Sequence, residues 1–220
     1  MVSLSFFPTW FLGYGLVFEL AFAIITLLVS IYSFKIYRLS GQRQSKIFGT
    51  AFLFFSLSYL IQFFINVSIL SELSERIISV IEFQNIVTLN SLAIFSHMIF
   101  FTLGLVTLSY MILNVKNDWI YIGFMIASVL IIFFSADKIN FFYVLSSTLL
   151  MVISAHYLKN YMEKKHKRTI LILIAFVFLL FGHIHFIFLM NHSTYYVIGN
   201  FLELIAYVLI LINLLNVLRK

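Results

Sequence analysis

The sequence predicts an all-α protein: a polytopic membrane bundle of seven transmembrane helices, N-terminus outside and C-terminus cytoplasmic. Three observations predict it. Of 220 residues, 63% are hydrophobic and only 10% are charged, whereas an average soluble domain is about 25% charged and about 45–50% apolar. So few polar side chains cannot cover the surface of one globular core. Soluble enzymes, nucleic-acid binders and disordered chains are excluded together. The second observation is a series of seven apolar segments, 11–34, 47–70, 88–115, 119–136, 141–158, 169–190 and 197–218. A helix needs about 20 such residues to cross a bilayer. The third is charge placement. Lys35, Arg38, Arg43, Lys46, Lys116, Lys159, Lys164, Lys165, Lys167, Arg168, Arg219 and Lys220, twelve of fourteen basic residues, fall in alternate connections and the C-terminal tail. Arg76 and Lys138 lie on the other side. The positive-inside rule then sets the orientation. It also accounts for the net charge of +6 without any anionic polymer as partner.

Taken in order, the first segment lacks a charged leader and a small-residue cleavage site, so it is expected to stay as a helix. It carries Gly15, Glu19, Ala23, Thr26, Ser30 and Ser33 at three- and four-residue spacing. A small or polar stripe of that kind belongs against other helices, because lipid favours bulky apolar groups. The second segment shows a similar face in Ser58, Tyr59, Gln62 and Asn66. The stretch 71–87 reads two ways. It extends the third helix outward, or it lies in the interface with Ile77, Ile78 and Ile81 facing lipid. The third segment presents Asn90, Ala93, His97 and Gly104. The fourth and fifth carry no candidate site residue. The sixth contains His183 and His185, about 200° apart around a helix, so both cannot face inward. The seventh aligns Asn200, Glu203 and Tyr207. The connections are too short for a second domain, so residues 1–220 form one unit. The single proline, Pro8, breaks no helix, which disfavours transporters built on interrupted helices. Most of the 27 Phe and 12 Tyr are expected to be lipid-facing bulk or interfacial anchors. The fragments GLVFEL (15–20) and GNFLEL (199–204) look alike but are too short to establish a repeat.

Counting from the basic anchors gives depth. Glu19 is sixteen residues before Lys35, Glu203 sixteen before Arg219 and Gln62 sixteen after Lys46. His183 and His185 are fifteen and seventeen after Arg168, and His97 is nineteen before Lys116. At about 1.5 Å per residue all six share one layer about 22–29 Å from the anchors. Ionisable groups at such depth are costly and tend to mark function. Each alone also has a structural explanation, a protonated Glu bonded to a neighbouring helix or a packed His. His156, His166 and His192 sit at helix ends and read as ordinary interfacial residues.

The convergence suggests a transition-metal site formed by Glu19, His97, His183 and Glu203, with Gln62, Asn200 and Tyr207 around it. Two carboxylates neutralise a divalent ion and offset their own burial cost. His/Glu ligation suits zinc, iron, manganese or copper, and the absence of cysteine excludes thiolate sites. Two alternatives stay open: b-type haem held by His97 with His183 or His185, and a proton-coupled or cation pathway. A retinal pigment is disfavoured, because the last helix has no Lys for a Schiff base.

The opening VFELAFAIITLLVSIYSFKIYRLSGQRQSKIFGTAFLFFSLSYLI and the closing YYVIGNFLELIAYVLILINLLNVLRK resemble the first, second and last helices of prokaryotic membrane-associated sensor modules. Those modules precede histidine kinase or diguanylate cyclase domains. The resemblance covers about a third of the chain and rests on helix texture, Glu19 and the GNFLEL stretch. It implies a sensing role, and it implies a His where Asn200 stands here. Because no output domain is expected after Lys220, a sensor of this kind is expected to signal through a separate signalling or redox partner protein or merely to bind its ligand, in the lipid bilayer of the cell membrane and without nucleic acid.

Overall fold

The computed structural model describes residues 12–74, 80–115, 117–165, 167–188 and 194–219. Pro8, Arg76, Ile77, Ile78, Lys116, His166, His192 and Lys220 lie outside them. The described residues form seven helices: α1 Leu12–Ser40, α2 Arg43–Ser74, α3 Val80–Leu113, α4 Asp118–Phe134, α5 Lys138–Lys164, α6 Lys167–Ile187 and α7 Thr194–Leu218. Six are long and apolar enough to cross a membrane, and α4, with 17 residues, is the short one. In a bilayer every backbone N–H and C=O needs an internal partner, and a helix supplies it within its own segment.

Several helices outrun the apolar segments. α1 continues through Lys35 and Arg38, and α3 begins at Val80, eight residues before position 88. Charged residues at a membrane surface do not stop a helix, because their long stems carry the charge out to water. For the stretch 71–87, α2 therefore runs to Ser74 and α3 takes up the chain from Val80, Ile81 included. The turn from α1 to α2 depends on Gly41, whose φ of +67° an L side chain rarely adopts. Asn117 caps α4, its side chain accepting from the Trp119 N–H, and Asp137 caps α5 by accepting from the Asn140 N–H.

Packing closes six helices into a ring. α1 packs on α2, α2 on α3, α3 on α5, α5 on α6, α6 on α7, and α7 returns to α1. α4 rests outside, against α3 and α5. Buried positions follow the small and polar stripes: Glu19, Ala23, Thr26, Ser30 and Ser33 on α1, and Asn200, Glu203 and Tyr207 on α7. Large apolar side chains point outward at seven-residue intervals, Val17, Ile24 and Ile31 on α1 and Val144, Met151 and Leu158 on α5. An apolar outer face, with small and polar side chains turned to the helix contacts, is a membrane arrangement. Lipid tails solvate the outer face, leaving van der Waals packing and interhelical hydrogen bonds to hold the bundle. Ser30 donates to the Gly49 carbonyl (2.8 Å) and Ser56 to the Ala23 carbonyl (3.0 Å), joining α1 to α2. The ring's centre is aromatic: Phe22, Phe52, Phe55, Phe101, Phe142 and Phe176 are fully buried. Phe64, Phe124, Phe133, Phe134, Phe181, Phe188 and Phe201 are exposed, whereas the six buried rings form the core. Packed edge-on and tilted, they fill space that aliphatic side chains would leave open.

Candidate functional site: a buried His–Glu–Tyr cluster

At the end of the ring opposite Lys35 and Lys46, three helices bring polar side chains together. α7 supplies Glu203 and Tyr207, α6 supplies His183 and α2 supplies Tyr59. Glu203 accepts a hydrogen bond at Oε2 from the Tyr59 hydroxyl (3.2 Å), and the Tyr59 and Tyr207 oxygens are 2.9 Å apart. Tyrosine has one O–H. With Tyr59 donating to the carboxylate, Tyr207 donates to Tyr59. The other carboxylate oxygen, Oε1, lies 3.1 Å from His183 Nε2. That contact does not have the direction of an N–H···O bond, and neither nitrogen of this buried imidazole has a hydrogen-bond partner among the described residues.

Why these groups meet is a matter of local packing. Gly182 precedes His183, and a Cβ there would stand 3.2 Å from the Gly199 carbonyl oxygen and 3.3 Å from Glu203 Cγ. The missing side chain lets α6 and α7 approach closely at this level. Aromatic rings enclose the imidazole, with centroids at 4.9 Å for Phe101, 5.9 Å for Tyr143, 5.9 Å for Phe186 and 6.2 Å for Phe142.

His97 sits beside this cluster, outside its bonds. Its ring packs on Tyr59 (5.3 Å) and on Phe101 (5.4 Å). Phe101 and Phe142 therefore contact both His97 and His183. Ser58 Oγ is 2.7 Å from His97 Nδ1 and 3.1 Å from the His97 carbonyl oxygen. The assignment that uses both contacts has Ser58 donating to the carbonyl and His97 Nδ1–H donating to Ser58. Nε2 is then the unprotonated nitrogen.

The remaining sequence candidates fall elsewhere. Glu19 accepts from Asn66 Nδ2 at 2.7 Å, while its second carboxylate oxygen is buried without a partner among the described residues. His185 lies on another face of α6, where its Nδ1–H donates to the Phe181 carbonyl of its own helix (2.7 Å) and its ring packs on Tyr195. Asn200 is buried and donates to the Tyr196 carbonyl one turn back. Gln62 is half-buried and joins none of the hydrogen bonds among the described residues. His156 bonds Asn160 on its own helix. Depth counting thus identifies the layer, and the packing divides it into His183–Glu203–Tyr59–Tyr207, Ser58–His97 and Glu19–Asn66. Among the described residues no three His, Asp or Glu side chains converge as metal ligands.

Ser58, Tyr59 and Asn66 lie on the α2 face already legible in the sequence. Tyr143 and Gly182 were not singled out there. For Tyr143 the signal was available: it stands sixteen residues before Lys159, the same interval that gives the depth of Glu19 and Glu203.

Compared with protein-family models, curated proteins and solved structures, the chain matches none.

Proposed function

We propose that this chain crosses the membrane seven times with its N-terminus outside, and that the His183–Glu203 pair in its outer half binds a divalent transition metal reversibly. The observation that carries this reading is the pair itself. A buried imidazole nitrogen lies 3.1 Å from a carboxylate oxygen without being aimed at it. Two ligand atoms at that separation, each about 2.1 Å from a metal, subtend about 95° at the ion, an ordinary ligand–metal–ligand angle. Glu203 supplies one negative charge, and Glu19, in the same layer, supplies a second without being a ligand. Together they offset a divalent ion in a medium that penalises net charge. Two protein ligands leave the other coordination positions to water or to an exchangeable group. That suits an ion that comes and goes, in sensing or transfer, better than a permanent structural ion. Sensing is also what the resemblance implies, with Tyr59 and Tyr207 linking the carboxylate to α2.

Elemental analysis of the purified, detergent-solubilised chain after dialysis against micromolar zinc tests the reading. About one ion per chain is expected in the wild type. His183→Ala and Glu203→Gln should each lose at least tenfold in affinity. Glu19→Gln should weaken binding less, and His185→Ala not at all. A wild type without metal, or undiminished metal in both His183→Ala and Glu203→Gln, overturns the proposal. A Soret band in the visible spectrum overturns it in favour of haem.

A further inference from the structure

At the opposite, basic end of the ring, the ends of α1, α2, α3 and α4 surround an open cleft of about 500 Å³. Its polar lining differs in kind from the outer cluster. Arg43 donates to the Tyr110 hydroxyl at 2.7 Å, lies over the Tyr110 ring at 5.7 Å, and stands 3.5 Å from Asp118. Tyr110 in turn donates to Asp118 (3.1 Å) and packs on Tyr121 (4.6 Å between centroids). One guanidinium nitrogen, Nη2, makes all of Arg43's hydrogen bonds to the described residues. The guanidinium is therefore held in place with Nε and Nη1 left over. Three residues along the same helix, Lys46 lies with its ammonium 5.8 Å from the centre of the Tyr37 ring, and no carboxylate pairs with it among the described residues. Positions i and i+3 share a helix face, so both cations border one opening.

We propose that this cleft binds a phosphate monoester or free phosphate, with Arg43 and Lys46 as the ligands and Asp118 as a built-in competitor for Arg43. The charge sum favours an anion, two cations against one carboxylate. The volume falls within the range of small-ligand sites. Arginine presents paired donors that match phosphate geometry, and lysine adds a compact point charge. Aromatic rings under both cations fix their positions at little entropic cost. Basic pockets between helices at a membrane surface hold lipid head groups through this chemistry, and a soluble phosphate would use the same donors.

The test is calorimetric titration of the full solubilised chain with three probes: dihexanoyl phosphatidic acid, inorganic phosphate and dihexanoyl phosphatidylcholine. Phosphatidic acid should bind at least tenfold tighter than phosphatidylcholine. Arg43→Gln and Lys46→Gln should each weaken it about fivefold or more, and the double variant at least twentyfold. Asp118→Asn removes the competitor and should tighten binding about threefold, a gain that misfolding cannot imitate. Inorganic phosphate that binds with the same dependence on the variants marks a free phosphate as the source; binding confined to phosphatidic acid marks a lipid. The proposal falls if the wild type binds neither phosphate, if the double variant binds like the wild type, or if Asp118→Asn weakens binding as much as Arg43→Gln does.

Discussion

The hydroxyls of Tyr59 and Tyr207 meet at 2.9 Å, tying α2 to α7 on the buried side of Glu203. Their roles are unequal, because Tyr59 also donates to the carboxylate. Tyr59→Phe leaves both Glu203 Oε2 and the Tyr207 hydroxyl without a partner, and should cost about 1–2 kcal/mol. Tyr207→Phe removes only the outer donor and should cost about half as much. The double variant should cost less than the sum, since the two share one bond. Thermal unfolding of the four solubilised proteins measures all three quantities. Equal single costs that add would show that the two hydroxyls act independently.

Glycine positions rank by what a methyl group would meet. At Gly104 a Cβ would collide with the buried Phe55 ring and come within 3.0 Å of the Ala51 carbonyl oxygen, main chain that cannot rotate aside. Gly104→Ala should destabilise by about 1–3 kcal/mol. At Gly199 the nearest obstacle is the Phe186 ring, at 2.5–3.0 Å. Gly199→Ala should also destabilise, and adding Phe186→Leu should recover part of the loss. Gly123 meets nothing within 4 Å, so Gly123→Ala should be neutral or slightly stabilising. Comparing unfolding midpoints of these variants checks the order; a Gly104→Ala protein as stable as Gly123→Ala would contradict it.

Membrane orientation is open to a clean chemical test, because the chain has no cysteine. An impermeant thiol reagent applied outside intact cells should label Ser74→Cys and leave Gln42→Cys untouched. Ala136→Cys, just beyond α4, should label like position 74, whereas Asn117→Cys, just before it, should not. Labelling of both ends of α4, or of neither, would mean that this 17-residue helix does not cross.

The helical class was readable from composition, and the polar layer from counting residues to the basic anchors. Both follow from the bilayer acting as a solvent with fixed thickness. Pairing within the layer was not readable. Depth along a helix says nothing about which neighbour a side chain faces, so Glu19 and Glu203, equal in depth, have different partners, Asn66 and the His183–Tyr59 group. The two histidines of α6 were separable, because opposite azimuths on one helix need no knowledge of neighbours. His183 is buried, and His185 turns to its own backbone. The position of α4 outside the ring was hidden for a further reason. Its apolar run looks like the others, and hydropathy does not distinguish a helix touched by protein from one touched by lipid. Of the two readings open for 71–87, the structure takes the outward extension for Gln84 and Asn85, which continue α3 beyond its apolar run. Water at the membrane surface tolerates them on a continuing helix.

Gly182 and Gly199 face each other where α6 meets α7, with the Gly199 carbonyl 3.2 Å from where a Gly182 Cβ would be. His183 follows the first of these glycines directly, and Glu203 lies one helical turn beyond the second. The imidazole–carboxylate spacing is therefore gauged by two backbones in contact. At this level α6 and α7 cannot come closer without backbone meeting backbone, so the closest possible approach of the imidazole and the carboxylate is limited by the main chain.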